Sequence, residues 1–258
     1  MFKSIKEKRE RYELGVLSSL ASSLLFLFLR YLIAPLIKFL WIGKIEGLEN
    51  IPKSGPVIIA SNHESYFDFI CFWSVSPRKI QYLAAEKFYS SKFWRPIMVA
   101  TGQIKVDRVN KDKKGVHERA HYILKNEGVL GIFPEGTRSR TGELGKAFTG
   151  VTRFALTAKV PIVPIGMVGT YHILAPHNKI PRLKRCHIKI GQPVFHEDHF
   201  NKEHTEDLLR RLTDDLMLLI AMLVNKEYKH HYLNSGEKKV IEGEVIEVKN
   251  KILFVVRL

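Results

Sequence analysis

Hydrophobic residues are concentrated near the N-terminus, where an uncharged run extends from Gly15 to Leu29. Arg30 interrupts this run and Pro35 follows, although apolar residues continue to Trp41. A membrane-spanning helix needs roughly 20 apolar residues, so the uncharged run alone is too short. The pattern favours a pair of helices that meet near Pro35 and lie at a membrane interface.

Three other interpretations of this segment remain. A single span would require the Arg30 side chain to extend to the lipid headgroups. A cleaved signal peptide would end near Ser19-Leu20-Ala21, but the apolar run continues past that point. A buried core helix is the third, and the Leu and Phe residues of 24–29 argue against it, because a one-sided soluble helix does not need apolar residues all round.

From about residue 43 onward, short β-type runs alternate with segments of helical periodicity. Strands are predicted at 57–60, 80–84, 129–133, 162–167 and 187–190, and helices at 69–75, 116–124, 151–158 and 203–228. The alternation predicts an α/β fold with a mixed, largely parallel sheet flanked by helices. The second half of the last helix, 216–224, is apolar all round, which predicts deep burial or contact with lipid.

The pattern also divides the chain into three parts. These are a basic and hydrophobic membrane-binding helical pair at 1–43, the α/β domain at 44–232 and a C-terminal β extension at 233–258. In the extension, apolar residues predict a strand pair that turns near Lys249 and Asn250. The sequence assigns no role to this extension.

The strong positive charge of the chain indicates that it binds a negatively charged partner. The 258 residues include 41 Lys and Arg against 26 Asp and Glu, a net charge of +15, which implies nucleic acid, an anionic membrane or a phosphorylated substrate. Basic residues at 3–11 and 179–185 favour an anionic membrane beside the apolar N-terminus. No nucleic-acid-binding motif is recognisable. The two cysteines exclude a disulfide scaffold and most cysteine zinc sites.

The first candidate for chemistry follows the predicted strand at 57–60. Asp68 lies one helical turn beyond His63, so it can accept a hydrogen bond from one ring nitrogen and leave the other nitrogen basic. Such a pair suits removal of a proton from a hydroxyl group. The H-x4-D spacing alone is not specific, because a helix-capping histidine with a surface aspartate gives the same pattern.

A second candidate segment, F-P-E-G-T-R-S, follows the predicted strand at 129–133. Its candidate site residues are Glu135, Gly136, Thr137 and Arg138. Arginine binds phosphate with two parallel hydrogen bonds, which makes Arg138 a candidate phosphate ligand. Arg108 ends a short predicted strand and offers a second phosphate contact. The prolines of 160–164 suit an edge strand or a close-packed wall.

Together, four segments resemble the sequence blocks of the PlsC-type glycerolipid acyltransferases. The blocks are N-H-x4-D at 62–68, G-x-I-x-x-x-R at 102–108, F-P-E-G-T-R-S at 133–139 and V-P-I-V-P at 160–164. The resemblance covers about residues 44–225. The N-terminal hydrophobic pair is also similar to the two-helix membrane motif of bacterial members.

The resemblance implies a reaction. A fatty acyl group would pass from acyl-CoA or acyl-carrier protein to the sn-2 hydroxyl of 1-acyl-glycerol 3-phosphate (lysophosphatidic acid), giving phosphatidic acid without an acyl-enzyme. His63 would be the general base and Asp68 would orient it. Arg108 and Arg138 would bind the acceptor phosphate. Glu135 and Gly136 would shape the glycerol site, with Thr137 as a further substrate-binding residue, and 160–164 would line the acyl side.

Two departures from the family pattern affect a lysine. Many members carry Lys where this chain has Ala85, and Lys87 follows two residues later. Many members carry P-F-K-K-G after the third block, where this chain has Lys146-Ala147-Phe148-Thr149-Gly150. An oxyanion or phosphate role for that family lysine does not transfer directly to this sequence.

The resemblance also sets expectations for cofactors, partners and location. No metal or cofactor is expected, and the histidines at 196, 199, 230 and 231 are expected to be solvated. The expected partners are lysophosphatidic acid, the acyl donor and anionic membrane lipid, and no nucleic acid. The expected location is the cytoplasmic face of a membrane, the bacterial inner membrane. The alternatives are another lyso-acceptor (a lysophospholipid, a lyso-aminolipid or glycerol 3-phosphate) and a non-catalytic basic membrane-binding module.

Overall fold

The computed structural model describes residues 20–106, 113–231, 244–248 and 251–255. Predictions about residues 1–19 and about Arg108 lie outside the described residues. A seven-stranded sheet forms the centre of the described structure. Its strands are β1 (Ile42–Glu46), β2 (Val57–Ser61), β3 (Ile80–Ala85), β4 (Ile104–Val106), β5 (Val129–Ile132), β6 (Ile162–Val168) and β7 (Cys186–Ile190).

The sheet is mixed and largely parallel, as the sequence predicts. The order across it is β1-β7-β6-β2-β5-β3-β4. The five strands from β6 to β4 are parallel to one another, whereas β7 is antiparallel to β6 and β1 is parallel to β7. Because β2 and β5 are parallel neighbours, the loops that follow them leave the sheet at the same edge.

Helices cover both faces of the sheet. They are α1 (Leu20–Trp41), α2 (Phe67–Val75), α3 (Lys87–Ser90), α4 (Trp94–Thr101), α5 (Lys113–Lys125), α6 (Gly150–Ala158), α7 (Thr170–Ile173) and α8 (Glu206–Val224). Side chains of α1 and α2 share one hydrophobic cluster with the sheet. Side chains of α5, α6 and α8 form the cluster on the opposite face. The molecule is therefore a three-layer α/β/α arrangement.

Helix α8 is shorter than the predicted helix at 203–228. Thr205 caps its first turn by accepting a hydrogen bond from the backbone N–H of Leu208 at 3.3 Å. Asn225 ends the helix in the left-handed conformation, with φ of 54°. One side of the apolar second half packs into the core through Leu216, Met217 and Ile220, whereas Leu218 and Met222 are exposed, so the predicted deep burial holds for that one side.

Residues Leu20–Trp41 form one helix that is long and apolar enough to cross a membrane. The prediction of two helices that meet near Pro35 is therefore wrong. A π-helical turn at Leu29–Ile33 lies within the single helix, and the backbone N–H of Ala34 donates to the carbonyl of Leu29. Pro35 has no N–H to donate to the preceding turn, and the wider turn absorbs that gap. The helix therefore continues through the proline.

Helix α1 packs lengthwise against α2. The ring of Phe26 meets Trp73 edge to face at 6.3 Å, and Trp41 meets Phe67 at 5.0 Å near the other end. Between these contacts, the guanidinium of Arg30 donates to the carbonyls at the C-terminal end of α2, those of Trp73 at 3.1 Å, Ser74 at 3.4 Å and Ser76 at 2.7 Å. A helix C-terminus carries partial negative charge, so Arg30 binds the α/β domain instead of extending toward lipid headgroups.

The C-terminal extension contains the predicted strand pair. Strands β8 (Glu244–Val248) and β9 (Lys251–Val255) are antiparallel, and Val248 faces Lys251 in the register. Residues 249 and 250, where the sequence predicts the turn, lie outside the described residues.

Candidate active site

His63 lies in the short connection between β2 and α2, at the carboxyl edge of the sheet. Its ring nitrogen Nδ1 is 2.9 Å from the Oδ2 atom of Asp68, and its side chain is 16% exposed. The structure thus brings together the two residues of the H-x4-D pattern. With Nδ1 bonded to the carboxylate, Nε2 is the ring nitrogen available to a substrate.

Asp68 is held in the first turn of α2 and is buried. Its Oδ2 atom also accepts hydrogen bonds from the backbone N–H groups of Glu64 at 2.7 Å and Ser65 at 2.8 Å. A helix N-terminus favours negative charge, and these amides fix the carboxylate in place. Asp68 can therefore hold the orientation of the His63 ring without moving during a reaction.

An aromatic stack fixes the plane of the same ring. The imidazole of His63 lies 3.9 Å from the ring of Phe133 at an interplanar angle of 15°. Phe133 in turn stacks on Tyr82 at 5.3 Å and 13°. Burial raises the pKa of Tyr82 well above its ordinary range. Tyr82 therefore stays neutral, and the stack leaves one edge of the imidazole to face the cavity.

Glu135 binds the main chain on both sides of the site. Its Oε1 atom accepts the backbone N–H of His63 at 2.8 Å, and its Oε2 atom accepts the N–H of Gly145 at 2.7 Å. The N–H of Ser139 donates to the carbonyl of His63 at 2.7 Å, so the loop after β5 holds His63 from two directions. Burial raises the pKa of Glu135 to about 7, and the two backbone hydrogen bonds oppose that rise.

A cavity of about 150 Å³ opens beside His63. It is lined by His63, Tyr66, Phe69, Tyr82, Leu83, Ala84, Ala85, Lys87, Phe88, Met98, Gln103, Phe133, Gly136, Thr137 and Arg138. Gly136 has a φ of +66°, and a Cβ atom there would come within 2.9 Å of the Phe148 ring, so only glycine fits this turn. Glu135 does not line the cavity, and both of its carboxylate oxygens accept hydrogen bonds from backbone amides, so its predicted place beside the substrate stays a prediction.

The cavity has a cationic rim built around Tyr66. The guanidinium carbon of Arg138 lies 3.6 Å from the centroid of the Tyr66 ring. The Nζ atom of Lys87 donates to the Tyr66 hydroxyl at 3.1 Å. The Nη1 atom of Arg138 is buried and has no hydrogen-bond partner among the described residues. A buried donor of this kind requires an acceptor, and an anionic ligand in the cavity would supply one.

The structure adds residues that the sequence patterns did not single out. The Asn62 side chain pairs with the backbone of Met167, accepting its N–H at 2.8 Å and donating to its carbonyl at 3.0 Å. Glu64, in the same loop, is buried and binds the ammonium group of Lys226. Asn62 and Glu64 both lie within the first sequence block, so the sequence could have indicated that they belong to the site. Lys226 lies 162 residues from Glu64, and no sequence pattern around it indicates this contact.

Two other predicted elements lie away from the cavity. Residues 160–164 enter β6, an interior strand between β2 and β7, so they form a close-packed wall and not an edge. They do not line the cavity, which differs from the acyl-side position that the resemblance implies. Lys146 is exposed outside the cavity, whereas Ala85 and Lys87 both line it.

The prediction of solvated histidines is wrong at two positions. His196 is 5% exposed, and burial lowers its pKa to about 4. Its loop folds back onto the sheet, where Val194 pairs with Ile162, and this tertiary contact has no sequence signature. His231 is 6% exposed, and its Nε2 atom lies 3.4 Å from Oδ1 of Asp215. Within the described residues, no three acidic, His or Cys side chains are grouped as metal ligands would be.

Comparison with known proteins finds similarity to acyltransferases. Residues 43–168 match the Acyltransferase family. A 1-acyl-sn-glycerol-3-phosphate acyltransferase of Bacillus subtilis is 27% identical over 186 residues, which cover 71% of this chain and 88% of that protein. A chloroplastic 1-acyl-sn-glycerol-3-phosphate acyltransferase of Arabidopsis thaliana is 30% identical over 132 residues, or 50% of this chain and 37% of that protein.

A solved structure has the same fold. The crystal structure of the 1-acyl-sn-glycerophosphate acyltransferase PlsC from Thermotoga maritima superposes with a TM-score of 0.59 and 20% identity. The superposition covers 83% of this chain and 97% of that one. The sheet, the His63 loop and the matched residues together define an acyltransferase domain. All four sequence blocks fall within residues 43–168, the part of the chain that matches the Acyltransferase family, and this match agrees with the PlsC-type resemblance of those blocks.

Proposed function

We propose that this protein transfers a fatty acyl group from acyl-CoA or acyl-carrier protein to the sn-2 hydroxyl of 1-acyl-glycerol 3-phosphate. The product would be phosphatidic acid. The observation that carries the proposal is the 2.9 Å contact between His63 and Asp68 at the wall of a cavity that also contains Arg138. The names of the relatives from Bacillus subtilis and Arabidopsis thaliana support this acceptor.

The geometry supports a general-base mechanism. Nδ1–H of His63 donates to Asp68, so Nε2 accepts the proton of the acceptor hydroxyl as its oxygen attacks the thioester carbonyl carbon. A C–O bond forms, and the resulting tetrahedral intermediate collapses as the C–S bond breaks. The proton on Nε2 then passes to the departing thiolate, which restores the neutral imidazole. A positioned base of this kind accelerates a reaction by roughly 10²–10⁴.

The acceptor phosphate would bind at the cationic rim. Arg138 lines the cavity and has a buried donor without a partner among the described residues, and the Tyr66 ring packs against its guanidinium group. Gly136 and Thr137 precede Arg138 in the cavity wall, so they would lie beside the same phosphate and glycerol. Arg108 remains the predicted second phosphate ligand. Glu135 would act as a positioning residue through the backbone of His63.

The proposed location is the cytoplasmic face of a bacterial inner membrane. The exposed apolar side of α1 supports membrane association. The acyl thioester donors of this family are made in the cytoplasm, which the resemblance implies also for this protein. The acyltransferase domain would therefore face the pool of donors while its acceptor diffuses in the membrane.

The reaction is tested with purified full-length protein, each of the two donors and four acceptors. The acceptors are 1-acyl-glycerol 3-phosphate, a lysophospholipid with a larger headgroup, glycerol 3-phosphate and 1-acyl-glycerol without phosphate. We expect the first to be preferred and His63→Gln to lower kcat by roughly 10²–10⁴. Arg138→Gln should raise KM for the phosphate acceptor, whereas Arg140→Gln, two residues along, should not.

Two results would contradict this assignment. Equal activity on 1-acyl-glycerol would remove the phosphate role of Arg138 and direct attention to another lyso-acceptor. An unchanged rate in His63→Gln would remove the base. A protein that binds vesicles with no turnover on any acceptor would be the non-catalytic membrane-binding module.

A further inference from the structure

The connection between α7 and β7 has an unusual surface, and we call residues 176–185 the basic loop. Every residue from 179 to 185 is exposed. Its cations are Lys179, Arg182, Lys184 and Arg185. Between them, Ile180 is 79% exposed and Leu183 is 75% exposed. Two large apolar side chains set among four cations form an amphipathic surface typical of lipid-binding segments.

Hydrogen bonds hold the basic loop in this conformation. The backbone N–H of Arg182 donates to the carbonyl of Ile173 at 2.8 Å. The indole N–H of Trp41, the last residue of α1, donates to the carbonyl of Arg182 at 3.1 Å. Leu174 and Cys186, on either side of the loop, are buried in the cluster that includes Ile37 of α1. The exposure of Ile180 and Leu183 is therefore built into the fold, at the C-terminal end of α1.

The exposed side of α1 continues this surface. Its large exposed apolar residues are Leu20, Leu24, Leu27, Phe28, Tyr31, Leu32, Leu36 and Phe39. Of these, Phe39 lies two residues before Trp41, which contacts the basic loop. The opposite side of α1 packs on α2, as the burial of Ala34 and Ile37 shows. Helix and loop thus lie on one side of the sheet, and both direct apolar side chains outward.

The charge of the basic loop has no local counterion. The sequence from 144 to 196 contains no Asp or Glu. None of the four cations of the loop takes part in an ion pair with a carboxylate of the described chain. A surface of this kind attracts anionic phospholipid headgroups, and its attraction weakens with salt.

We propose that the basic loop is a second membrane-docking element, in which Ile180 and Leu183 enter the lipid and the four cations contact headgroup phosphates. The occupant is the surface of an anionic phospholipid bilayer. A nucleic acid or an acidic protein would satisfy the cations but would leave Phe39, Ile180 and Leu183 in water. The proposal rests on the membrane association proposed above and is independent of the chemistry at His63.

Docking at the basic loop defines how α1 meets the membrane. The loop lies at the C-terminal end of α1, and α2 holds α1 from Phe26 to Trp41. With the loop docked and α1 held along α2, the proposal places α1 in the plane of the interface. The stretch from 26 to 41 therefore docks on the bilayer and does not cross it.

The test uses full-length protein and flotation with vesicles of phosphatidylcholine alone or with 30% phosphatidylglycerol, over a range of NaCl concentrations. An anchor variant carries Ile180→Ser and Leu183→Ser. A charge variant carries Lys179→Gln and Lys184→Gln. We expect the charge variant to bind anionic vesicles at least tenfold more weakly with a reduced salt dependence, and the anchor variant to lose binding at high salt. The matched controls, Tyr122→Ser and the pair Lys125→Gln and Lys202→Gln on the opposite face, should bind as the wild type does.

A second measurement reports insertion directly. The variant Ile180→Cys, labelled with an environment-sensitive dye, should emit at shorter wavelength on anionic vesicles, whereas a labelled Tyr122→Cys variant should not. Both native cysteines are buried, so they do not compete for the label in the folded protein. Emission from position 180 that stays water-like while the protein floats would overturn the proposal, as would loop variants that bind like the wild type.

The remaining outcomes separate this proposal from others. Loss of binding to a DNA oligonucleotide or to acidic acyl-carrier protein, with vesicle binding unchanged, would assign the basic loop to that partner instead and overturn the proposal. Loop variants should keep the wild-type rate on a short-chain, water-soluble acceptor without vesicles. A wild-type protein that inserts position 180 but acylates none of the acceptors would refute the proposed function and leave this proposal standing.

Discussion

At the scale of single residues, the site depends on how His63 is held. Asp68 fixes Nδ1, Phe133 fixes the ring plane, and Glu135 fixes the backbone. The sequence predicted the first of these because H-x4-D is a local pattern on one loop and helix. It could not predict the third, because the contact between Glu135 and the backbone of His63 joins residues 72 positions apart and depends on β2 and β5 being neighbours.

The buried carboxyl of Glu135 should shape the pH dependence of stability. Its pKa rises from 4.5 to about 7 on folding, so between these pH values the folded protein retains a proton that the unfolded chain has released. The free energy of unfolding should therefore fall by about 3 kcal/mol as pH rises through this window and level off above it. Glu135→Gln should remove that fall, so its deficit relative to the wild type is larger at pH 4.5 than at pH 8.

Urea unfolding measured from pH 4.5 to pH 8 tests this expectation. Glu143→Gln is the matched control, because Glu143 is an exposed residue of the adjacent loop. Parallel stability curves for Glu135→Gln and the wild type would show that Glu135 titrates alike in the folded and unfolded states. The same variant should also lose activity at pH 8. The glutamine oxygen can accept one of the two backbone hydrogen bonds, but the amide nitrogen cannot accept the other.

At the scale of elements, the strands and helices that the hydrophobic pattern predicted lie within a few residues of their observed bounds, but the pattern did not predict β1, α3, α4 or α7. The errors have identifiable physical causes. Thr205 and Asn225 shorten α8, because a cap and a left-handed residue override apolar periodicity. Pro35 does not end α1, because the π-helical turn before it accommodates the missing N–H. Neither compensation follows from the periodicity itself.

The hydrogen bonds between Arg30 of α1 and the C-terminal end of α2 should contribute measurably to stability. Arg30→Gln would leave the C-terminal carbonyls of α2 without their cation, and we expect a loss of about 1–3 kcal/mol in the free energy of unfolding. Hydrogen exchange should then speed up selectively in residues 26–41. Lys38→Gln, an exposed change on the same helix, is the control and should alter neither measurement. Unchanged exchange in α1 of the Arg30 variant would mean that the apolar contacts alone hold the helix.

At the scale of the whole molecule, the order of the sheet assembles the site. The loops after β2 and β5 meet because the strands are parallel neighbours, which the alternation of elements allowed but did not require. Beyond the sheet, Lys226 joins the end of α8 to the His63 loop. Its ammonium binds the carboxylate of Glu64 and donates to the carbonyl of Gly142 at 2.6 Å. No sequence pattern predicts a contact over such a separation.

Removal of this cation should destabilise the protein in a pH-dependent way. Burial raises the pKa of Glu64, and Lys226 opposes that rise. At pH 7, Lys226→Met would leave a buried carboxylate unpaired, and we expect a loss of about 3–5 kcal/mol in the free energy of unfolding. The loss should shrink as pH falls toward 4.5, because a protonated Glu64 needs no cation.

A double variant makes this test specific. Glu64→Gln combined with Lys226→Met should recover part of the lost stability in urea unfolding, because both charges are then absent. Lys229→Met, three residues along, removes an exposed ammonium group that pairs with Glu143 at the surface, so it should cost far less than Lys226→Met. A deficit of Lys226→Met that is equal at pH 5 and pH 8 would exclude the ion pair as its cause.

Helix α2 contacts His63 at its N-terminal end and Arg30 of α1 at its C-terminal end. Its first turn carries Asp68, and its last carbonyls bind Arg30 of α1. Nine residues rise by roughly 13 Å, so α2 is a rigid spacer between the base and the arginine of α1. Any tilt or sinking of α1 in lipid would move His63 by the same rotation and displacement. The length of α2 would then set the height of His63 above the acyl chains of the membrane. Only substrates whose hydroxyl group reaches that height would react.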